Sequence, residues 1–197
     1  MTRVRPASAA LVLALAVLAL AACGSSSKSS SSSGAGALSA EAKSAATGDI
    51  PDNQVFLTFR DKAAGYSISY PEGWAQTGSR GDVSFRDKNN IVHVVVAPGS
   101  QPSAASVAAA LAKERARTTS LRAGAPQPVA LKAGGALKVT YTTESAPNPV
   151  TGKRVKLTVD RYEVARGGKV ATIDLGTPVG VDNVDAYRMM AQSFRWL

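Results

Sequence analysis

Two pairs of β-patterned runs in this sequence are joined by connections too short for anything but antiparallel hairpins. Parallel strands need a crossover of a dozen or more residues, whereas a short glycine-containing turn joins antiparallel neighbours. The pairs are Pro128–Leu131 with Ala136–Thr143 across Lys132–Gly135, and Val155–Ala165 with Lys169–Thr177 across Arg166–Gly168. Gly134–Gly135 and Gly167–Gly168 are therefore hairpin glycines and not phosphate cradles, since neither pair opens a helix after a strand.

Alternation of apolar and polar residues marks further strands. In Tyr66–Tyr70 the residues at 66, 68 and 70 are apolar and those between them are serines, which predicts a half-buried strand. Ile91–Ala97 is apolar at nearly every position, which indicates a central strand covered on both faces. Asp87–Asn90 would join it to Val83–Arg86 as another hairpin, and Gln54–Phe59 is one more strand candidate.

Two helices complete the pattern. Ser103 can cap a helix that runs to about Thr119, and Asp182 can cap a second one. In the second helix Val184, Tyr187, Ala191 and Phe194 recur at helical spacing and would pack on the sheet, with Trp196 and Leu197 closing the chain. Ser145–Arg154 is a proline-broken excursion. This order predicts an α+β fold, a mainly antiparallel sheet flanked by helices as an α/β/α sandwich.

The amino-terminal residues are typical of an export signal. Arg3 and Arg5 form a basic head, and the apolar run Ala9–Ala22 has 14 residues, fewer than the about 20 that a membrane-spanning helix needs. The residues LAAC that end at Cys23 resemble the lipobox of bacterial lipoproteins. In that family the cysteine sulfur receives a diacylglycerol before cleavage, and the freed amine can then be acylated. The resemblance implies that Cys23 is the lipid-attachment residue. The alternative is an ordinary secretory peptide with Cys23 as a free thiol.

The sequence then divides into three parts. Residues 1–22 are the predicted lipoprotein signal peptide, 23–50 the lipidated cysteine with a tether, and 51–197 the globular domain. Gly24–Gly36 is almost entirely serine and glycine and cannot bury enough apolar surface to fold. The 26 residues from Cys23 to Gly48 would span about 25–30 Å as a coil.

Net charge and export define the expected partners. The full chain has a formal charge of +9, and losing Arg3 and Arg5 with the signal leaves +7. We expect a partner membrane, reached through lipid on Cys23, at the extracytoplasmic face of the cell membrane. Nucleic acid is not expected as a partner of an exported chain. The basic surface would favour anionic headgroups or wall polymer, or it is simply a mixed, solvated surface.

Catalytic chemistry has few candidates. His93 is the only histidine and lies within a valine-rich strand. The sequence contains no G-x-S-x-G motif, whose serine a histidine would activate in a hydrolase. We therefore interpret His93 as a hydrogen-bonded sheet residue. We predict no catalytic residues, cofactor-binding residues, metal ligands or cofactors.

Two clusters allow alternative interpretations. Asp160, Glu163 and Asp174 could gather as ligands of a hard cation, or they could form cross-strand ion pairs with Arg161 and Arg166. We favour the ion pairs. The aromatic residues Tyr66, Tyr70 and Trp74 could line a ligand slot, but a strand of this pattern more often places them in the core.

Three segments together resemble a known family. GYSISYPEGW at 65–74, SFRDKNNIVHVVV at 84–96 and MMAQSFRW at 189–196 are similar to the PsbP-like domain. This is the fold of the extrinsic subunit of the oxygen-evolving complex and of a eukaryotic Ran-binding nuclear-transport factor. The resemblance covers nearly all of Gln54–Leu197, and it implies a small accessory or binding domain. The serine tether resembles that of envelope lipoproteins of high-GC Gram-positive bacteria.

The leading functional hypothesis is a membrane-anchored envelope lipoprotein that acts as a non-catalytic accessory domain and binds an envelope protein. The alternative is a lipoprotein that binds a small molecule or lipid in a cavity between sheet and helices, of about 300 Å³ or more. A hydrolase is the third hypothesis. A packed interior with an exposed apolar or charged patch would favour the first, and a continuous cavity the second.

Overall fold

Short strands and hairpins dominate the computed structural model, which describes residues 47–197. The strands are β1 (Phe56–Asp61), β2 (Tyr66–Pro71), β3 (Ala75–Ser79), β4 (Asp82–Asp87), β5 (Asn90–Pro98), β6 (Arg122–Ala123), β7 (Gln127–Leu131), β8 (Gly134–Glu144), β9 (Lys156–Arg166), β10 (Lys169–Pro178) and β11 (Arg195–Trp196). The helices that lie wholly within this part are α1 (Ala104–Arg117) and α2 (Val184–Ser193). The predicted signal peptide, Cys23 and nearly all of the tether lie outside the described residues. Neither α1 nor α2 is long and apolar enough to cross a membrane.

All strand pairs in the described chain are antiparallel, as the hairpin spacing predicted. The large sheet has the order β3-β4-β5-β10-β9-β8-β6, with β7 also paired to β8, and a small sheet has the order β1-β2-β11. The predicted hairpins β4–β5, β7–β8 and β9–β10 are present. In the last, Arg166 pairs with Lys169 across Gly167 and Gly168, whose φ angles are 58° and 76°. Two consecutive positive φ angles define a turn that glycine adopts without strain.

Two hydrophobic layers cover the two faces of the large sheet. The larger layer lies between one face and the small sheet with α2, and its fully buried members include Tyr66, Phe85 and Phe194. The smaller layer lies between the other face and α1, where Val107 and Leu111 of the helix pack on residues of β8 and β9. The fold is therefore α+β, with helices on both sides of a mainly antiparallel sheet.

The helix ends agree in part with the sequence prediction. Ser103 caps α1 as expected, and Ser106 completes a reciprocal pair of hydrogen bonds with it. In the second helix the cap position is Asn183 and not Asp182, although the Asp182 carboxylate still accepts a hydrogen bond from the Val184 amide. Phe194 lies at the carboxyl-terminal cap of α2 and is fully buried.

The expectation that both faces of Ile91–Ala97 are covered is wrong for one face. Val92 and Val94 are fully buried beneath the small sheet and α2. Ile91, His93 and Val95, on the opposite face of β5, are only half-buried. The reason is that α1 packs over β8 and β9, so the half of the sheet beyond β10 has no helix above it.

Three strands were not predicted. All five residues of β3 are exposed, and none is a large apolar residue, so the segment lacks the pattern that marks a strand. β6 and β11 have two residues each and are too short to show any period. β11 nevertheless matters, because it adds the end of the chain to the small sheet through the pairs of Arg195 with Ser67 and Trp196 with Tyr66.

A buried polar cluster holds the first described residues against the domain. The Asn183 amide nitrogen donates to the Gly48 carbonyl oxygen, the Thr177 hydroxyl and the Asn90 amide oxygen, at 3.1, 2.9 and 3.3 Å. Its amide oxygen accepts from the Ile50 amide at 2.8 Å. Asn90 and Asn183 are 2% and 3% exposed, so water cannot replace these bonds readily. The cluster fixes where the chain enters the fold.

Replacing Asn183 should therefore be costly. Asn183→Ala removes four hydrogen bonds and leaves buried groups without partners, so we expect a loss of about 2–3 kcal/mol in the free energy of unfolding. Urea unfolding followed by circular dichroism measures it. Asn53→Ala, at an exposed position, is the control and should change stability little. Equal stability of the two variants would contradict this account of the cluster.

Candidate functional site

A cleft of about 820 Å³ lies where the chain enters the fold, and we call it the acidic groove. Asp182, just before α2, and residues 185, 186 and 189, whose spacing places them on one side of that helix, form one wall. The segment 49–53 forms the opposite wall, and Phe56 at the start of β1 completes the lining.

Four carboxylates give the groove its charge: Asp49, Asp52, Asp182 and Asp185. Among residues 47–197 the only ion pair that any of them makes joins Asp185 to Arg188, an exposed contact of 3.0 Å. Surface pairs of this kind contribute little free energy. The groove therefore carries a concentrated negative charge, although residues 47–197 hold 19 basic and 13 acidic side chains.

Apolar side chains accompany these carboxylates. Ile50, Phe56, Ala186 and Met189 lie between them in the lining. Met189 is 44% exposed, although large apolar side chains in a folded domain are mostly buried. Val55 precedes the lining residue Phe56 and is 55% exposed. Val184 precedes the lining residue Asp185 and is 62% exposed. The groove thus combines negative charge with uncovered apolar surface.

The sequence contains a signal for this site that the sequence analysis missed. Two Asp-x-x-Asp segments, at 49–52 and 182–185, each enclose an apolar residue. Nothing local indicates that they meet. Ile50 and Asn183 are 133 positions apart and touch only because the buried cluster joins them.

A second cleft, of about 610 Å³, lies on the same face of the large sheet as α1, over residues of β5, β8, β9 and β10, and we call it the sheet groove. Ile91, His93 and Val159 lie on its floor, and the excursion at 145–155 forms one wall. The excursion is ordered by backbone hydrogen bonds between Ser145 and Val155 and between Asn148 and Lys153. The rim includes Arg86 and Lys153.

Of the cross-strand ion pairs that we expected between β9 and β10, the structure contains the one between Asp174 and Arg161. Asp174 accepts two hydrogen bonds from the Arg161 guanidinium, at 2.7 and 2.8 Å, and the same guanidinium donates to Glu114 of α1 at 2.7 Å. Burial disfavours the charged guanidinium, but its bonds to Asp174 outweigh this and raise the pKa of Arg161. This network ties α1 to the sheet. Because Arg161 is only 7% exposed, it is structural.

Asp160 pairs separately, with Lys138 at 2.8 Å, and lies on the opposite face of the sheet from Glu163 and Asp174. The alternation of side chains along a strand separates them. The three carboxylates therefore do not converge, and no group of three or more metal-ligating side chains occurs within residues 47–197. Arg166, which we expected to share in these pairs, is exposed near the hairpin turn.

Glu163 lies beside this network. Burial raises the pKa of its carboxyl above the ordinary value, Arg161 opposes the rise, and the neighbouring charges of Asp174 and Glu114 add to it. Its charged form is therefore disfavoured in the folded protein.

His93 is a hydrogen-bonded sheet residue, as predicted, but it is not deeply buried. Its Nε2 lies 2.8 Å from Oδ1 of Asp82, and the side chains are 31% and 73% exposed. Ser84 is its cross-strand neighbour. In the described part of the chain no hydrogen bond joins that hydroxyl to the imidazole, so the geometry lacks the contact a serine nucleophile needs.

The aromatic residues lie in the core, as expected. The Tyr66 ring stacks on Phe194 at 5.6 Å between centroids, and the Tyr70 ring stacks on Phe85 at 4.0 Å. Trp74 is 8% exposed. Burial, with the nearby charges of Asp61 and Asp82, raises the pKa of Tyr66. These rings fill the space between the sheets that a ligand slot would require.

Comparison with solved structures identifies the fold. The chain matches the solution structure of cyanobacterial PsbP (CyanoP) from Synechocystis with a TM-score of 0.50 and 18% identity, over 76% of this chain and 98% of that one. A structure from Bacteroides thetaiotaomicron gives 0.44 and 14% identity, over 71% of this chain and 48% of that one. The Ran-binding protein Mog1p of Saccharomyces cerevisiae gives 0.45 and 12%, over 73% and 96%. No protein-family profile matches the sequence. No curated protein sequence matches it either.

The CyanoP likeness shows a PsbP-like α+β fold, as the three aromatic segments indicated. Identity at this level shows the fold alone, and function must be argued from the surface of this chain.

The half-buried Glu163 predicts a specific pH effect. A raised pKa in the folded state means that this carboxyl stabilises the protein fully only below the unfolded pKa, and that this stability is lost as pH rises through the folded pKa. Glu163→Gln abolishes the charge, so its melting temperature should exceed that of the unaltered protein by about 1–3 °C near neutral pH. Below about pH 4 the two should agree.

Calorimetry at the two pH values measures this difference. Glu144→Gln, at an exposed position near the end of β8, is the control and should show no such pH-dependent gain. A lower melting temperature of the Glu163→Gln variant near neutral pH would show that attraction to Arg161 outweighs burial.

Proposed function

We propose that this chain is an envelope lipoprotein, anchored to the extracytoplasmic face of the cell membrane through lipid on Cys23. Its folded domain acts as a non-catalytic accessory module that binds an envelope protein. The anchor is supported by the basic head, the 14-residue apolar run and the single cysteine directly after it. Attachment by two or three acyl chains would be slow to reverse.

The observation that carries the binding function is the contrast between interior and surface. Tyr66, Phe85, Phe194 and Met190 are fully buried between the small sheet, α2 and the large sheet. Val107 and Val139 fill the interface below α1 in the same way. Exposed apolar side chains instead border the acidic groove, and an uncovered apolar patch on a folded domain commonly marks an interaction site.

The position of the acidic groove suits an accessory module. Asp49 and Ile50, the last two residues of the predicted tether segment 23–50, line it. The 26 residues from Cys23 to Gly48 would place the groove about 25–30 Å from the lipid. A partner within or close to the membrane lies in reach.

The sheet groove supports the second candidate, binding of a small molecule. Its apolar floor, the half-exposed imidazole of His93 and its volume of about 610 Å³ fit the general character of ligand sites. It lies beside α1 on an open face and not in a cavity between sheet and helix, so a lipid tail would remain partly in water there.

Lipid attachment can be tested by Cys23→Ser. The substitution removes the only thiol, so we expect no incorporation of labelled fatty acid and a protein that is either unprocessed or released from the membrane. Ser26→Ala, in the predicted tether, is the matched control and should be labelled normally. Normal labelling of the Cys23→Ser variant would overturn the lipoprotein assignment.

Partner binding can be tested in cells with a photo-crosslinking amino acid. At position 189, on the wall of the acidic groove, we expect a discrete crosslinked protein. At position 150, where Val150 is 90% exposed on the excursion, we expect none. Crosslinking at neither position, together with an apolar small molecule extracted from the purified protein, would instead favour the second candidate.

A further inference from the structure

We propose that the acidic groove binds a basic peptide segment with one apolar face, supplied by the partner protein. This inference rests on the proposed function for the existence of a protein partner, and it specifies the chemistry of the segment that docks.

Part of the groove lining is exposed apolar surface. Met189 lies on the same side of α2 as Asp185, and its exposed side chain is not among those packed against the core. Phe56 and Ala186 are partly buried and pack against the core from below. An apolar face laid along this strip would remove Met189 from water, and each methylene buried there is favourable.

The groove lining is acidic, whereas the described chain as a whole has a positive charge. Four of the 13 acidic residues in the described chain line one groove, while the described chain as a whole is basic. Asp49 and Asp52 make no ion pair among residues 47–197. Like charges held close together repel, and a cationic partner relieves that repulsion. Such complementarity selects a basic partner and rejects an acidic one.

The same distribution argues against other occupants. An anionic membrane surface would be repelled by these carboxylates. A neutral lipid would gain nothing from them. A second copy of the chain would have to present the basic rim of its sheet groove, at Arg86 and Lys153, and that rim borders a cleft and is not a projecting segment that could enter another cleft. A separate basic segment fits the groove best.

The test uses the Cys23→Ser chain without its signal, so it does not depend on lipidation. The probe is a fluorescent peptide of about 18 residues that contains only lysine and leucine, with the leucines three and four apart so that they share one helix face. One comparison peptide has glutamate in place of lysine, and another has serine in place of leucine. Fluorescence anisotropy measures the affinity. We expect binding of the lysine-leucine peptide alone, weakened by added salt.

Matched variants locate the site. Asp52→Asn with Asp185→Asn removes two exposed charges from the groove, and should weaken binding about tenfold. Asp87→Asn with Glu144→Gln removes the same number of charges at residues outside the lining of the acidic groove, and should change little. Met189→Gln should weaken binding about fivefold. Val150→Gln, on the excursion, should not.

The outcomes separate this inference from the proposed function. Equal loss of affinity in both charge variants, or binding of the glutamate peptide, would overturn the basic-segment inference. A loss of affinity in the Asp52→Asn, Asp185→Asn variant without any loss in the Met189→Gln variant would overturn the apolar part of the inference. Concentration-dependent dimerisation abolished by the groove substitutions, without peptide binding, would show a second copy as the occupant. None of these results depends on lipid attachment or on the photo-crosslinking result, which test the proposed function.

Discussion

Aromatic packing between the two sheets is the interaction on which the rest of this structure depends. Tyr66 of β2 stacks on Phe194 just after α2, while Phe59 and Tyr70 pack on Phe85 of β4. Buried aromatic side chains contribute more free energy per residue than most others, and their ring geometry fixes relative orientation. The small sheet, α2 and the large sheet are thereby held in one arrangement. The rings pack within this layer, and both clefts described above lie outside it.

The same packing places the acidic groove. Met190 and the capping residue Phe194 anchor one side of α2 in the core, so the side that bears Asp185 and Met189 must face outward. Asn183 then binds Gly48 and Ile50 and draws the entering chain along that outward side. The groove therefore follows from where the helix is anchored and where the chain enters. On the other face of the large sheet, the hydrogen bonds of the buried Arg161 hold α1 against β9 and β10.

Local features of the sequence predicted the elements they directly encode. Gly167 and Gly168 indicated a tight hairpin because their backbone freedom is needed there, and Ser103 indicated the start of α1 because its hydroxyl satisfies a free amide. His93 was correctly interpreted as a sheet residue. Its incomplete burial was not predicted, since the alternation of side chains does not reveal how far a helix extends over a sheet.

The acidic groove could not be predicted, for a related reason. Each Asp-x-x-Asp segment alone is typical of a helix start or a turn, and only tertiary packing brings the segments together. The exposed strand β3 escaped prediction because its pairing with β4 depends on backbone hydrogen bonds and not on apolar side chains. A strand without large apolar residues does not show the alternation of apolar and polar residues from which strands are predicted.

We infer that this domain binds its partner at a surface groove and not within its interior. Amide chemical-shift mapping of the labelled Cys23→Ser chain with the lysine-leucine peptide tests it most directly. We expect chemical-shift changes confined to the amides of residues 49–56 and 182–189, with no change in β5 and the core strands. Shifts centred on Ile91–Val95 and the excursion at 145–155, or spread through the aromatic layer, would contradict it.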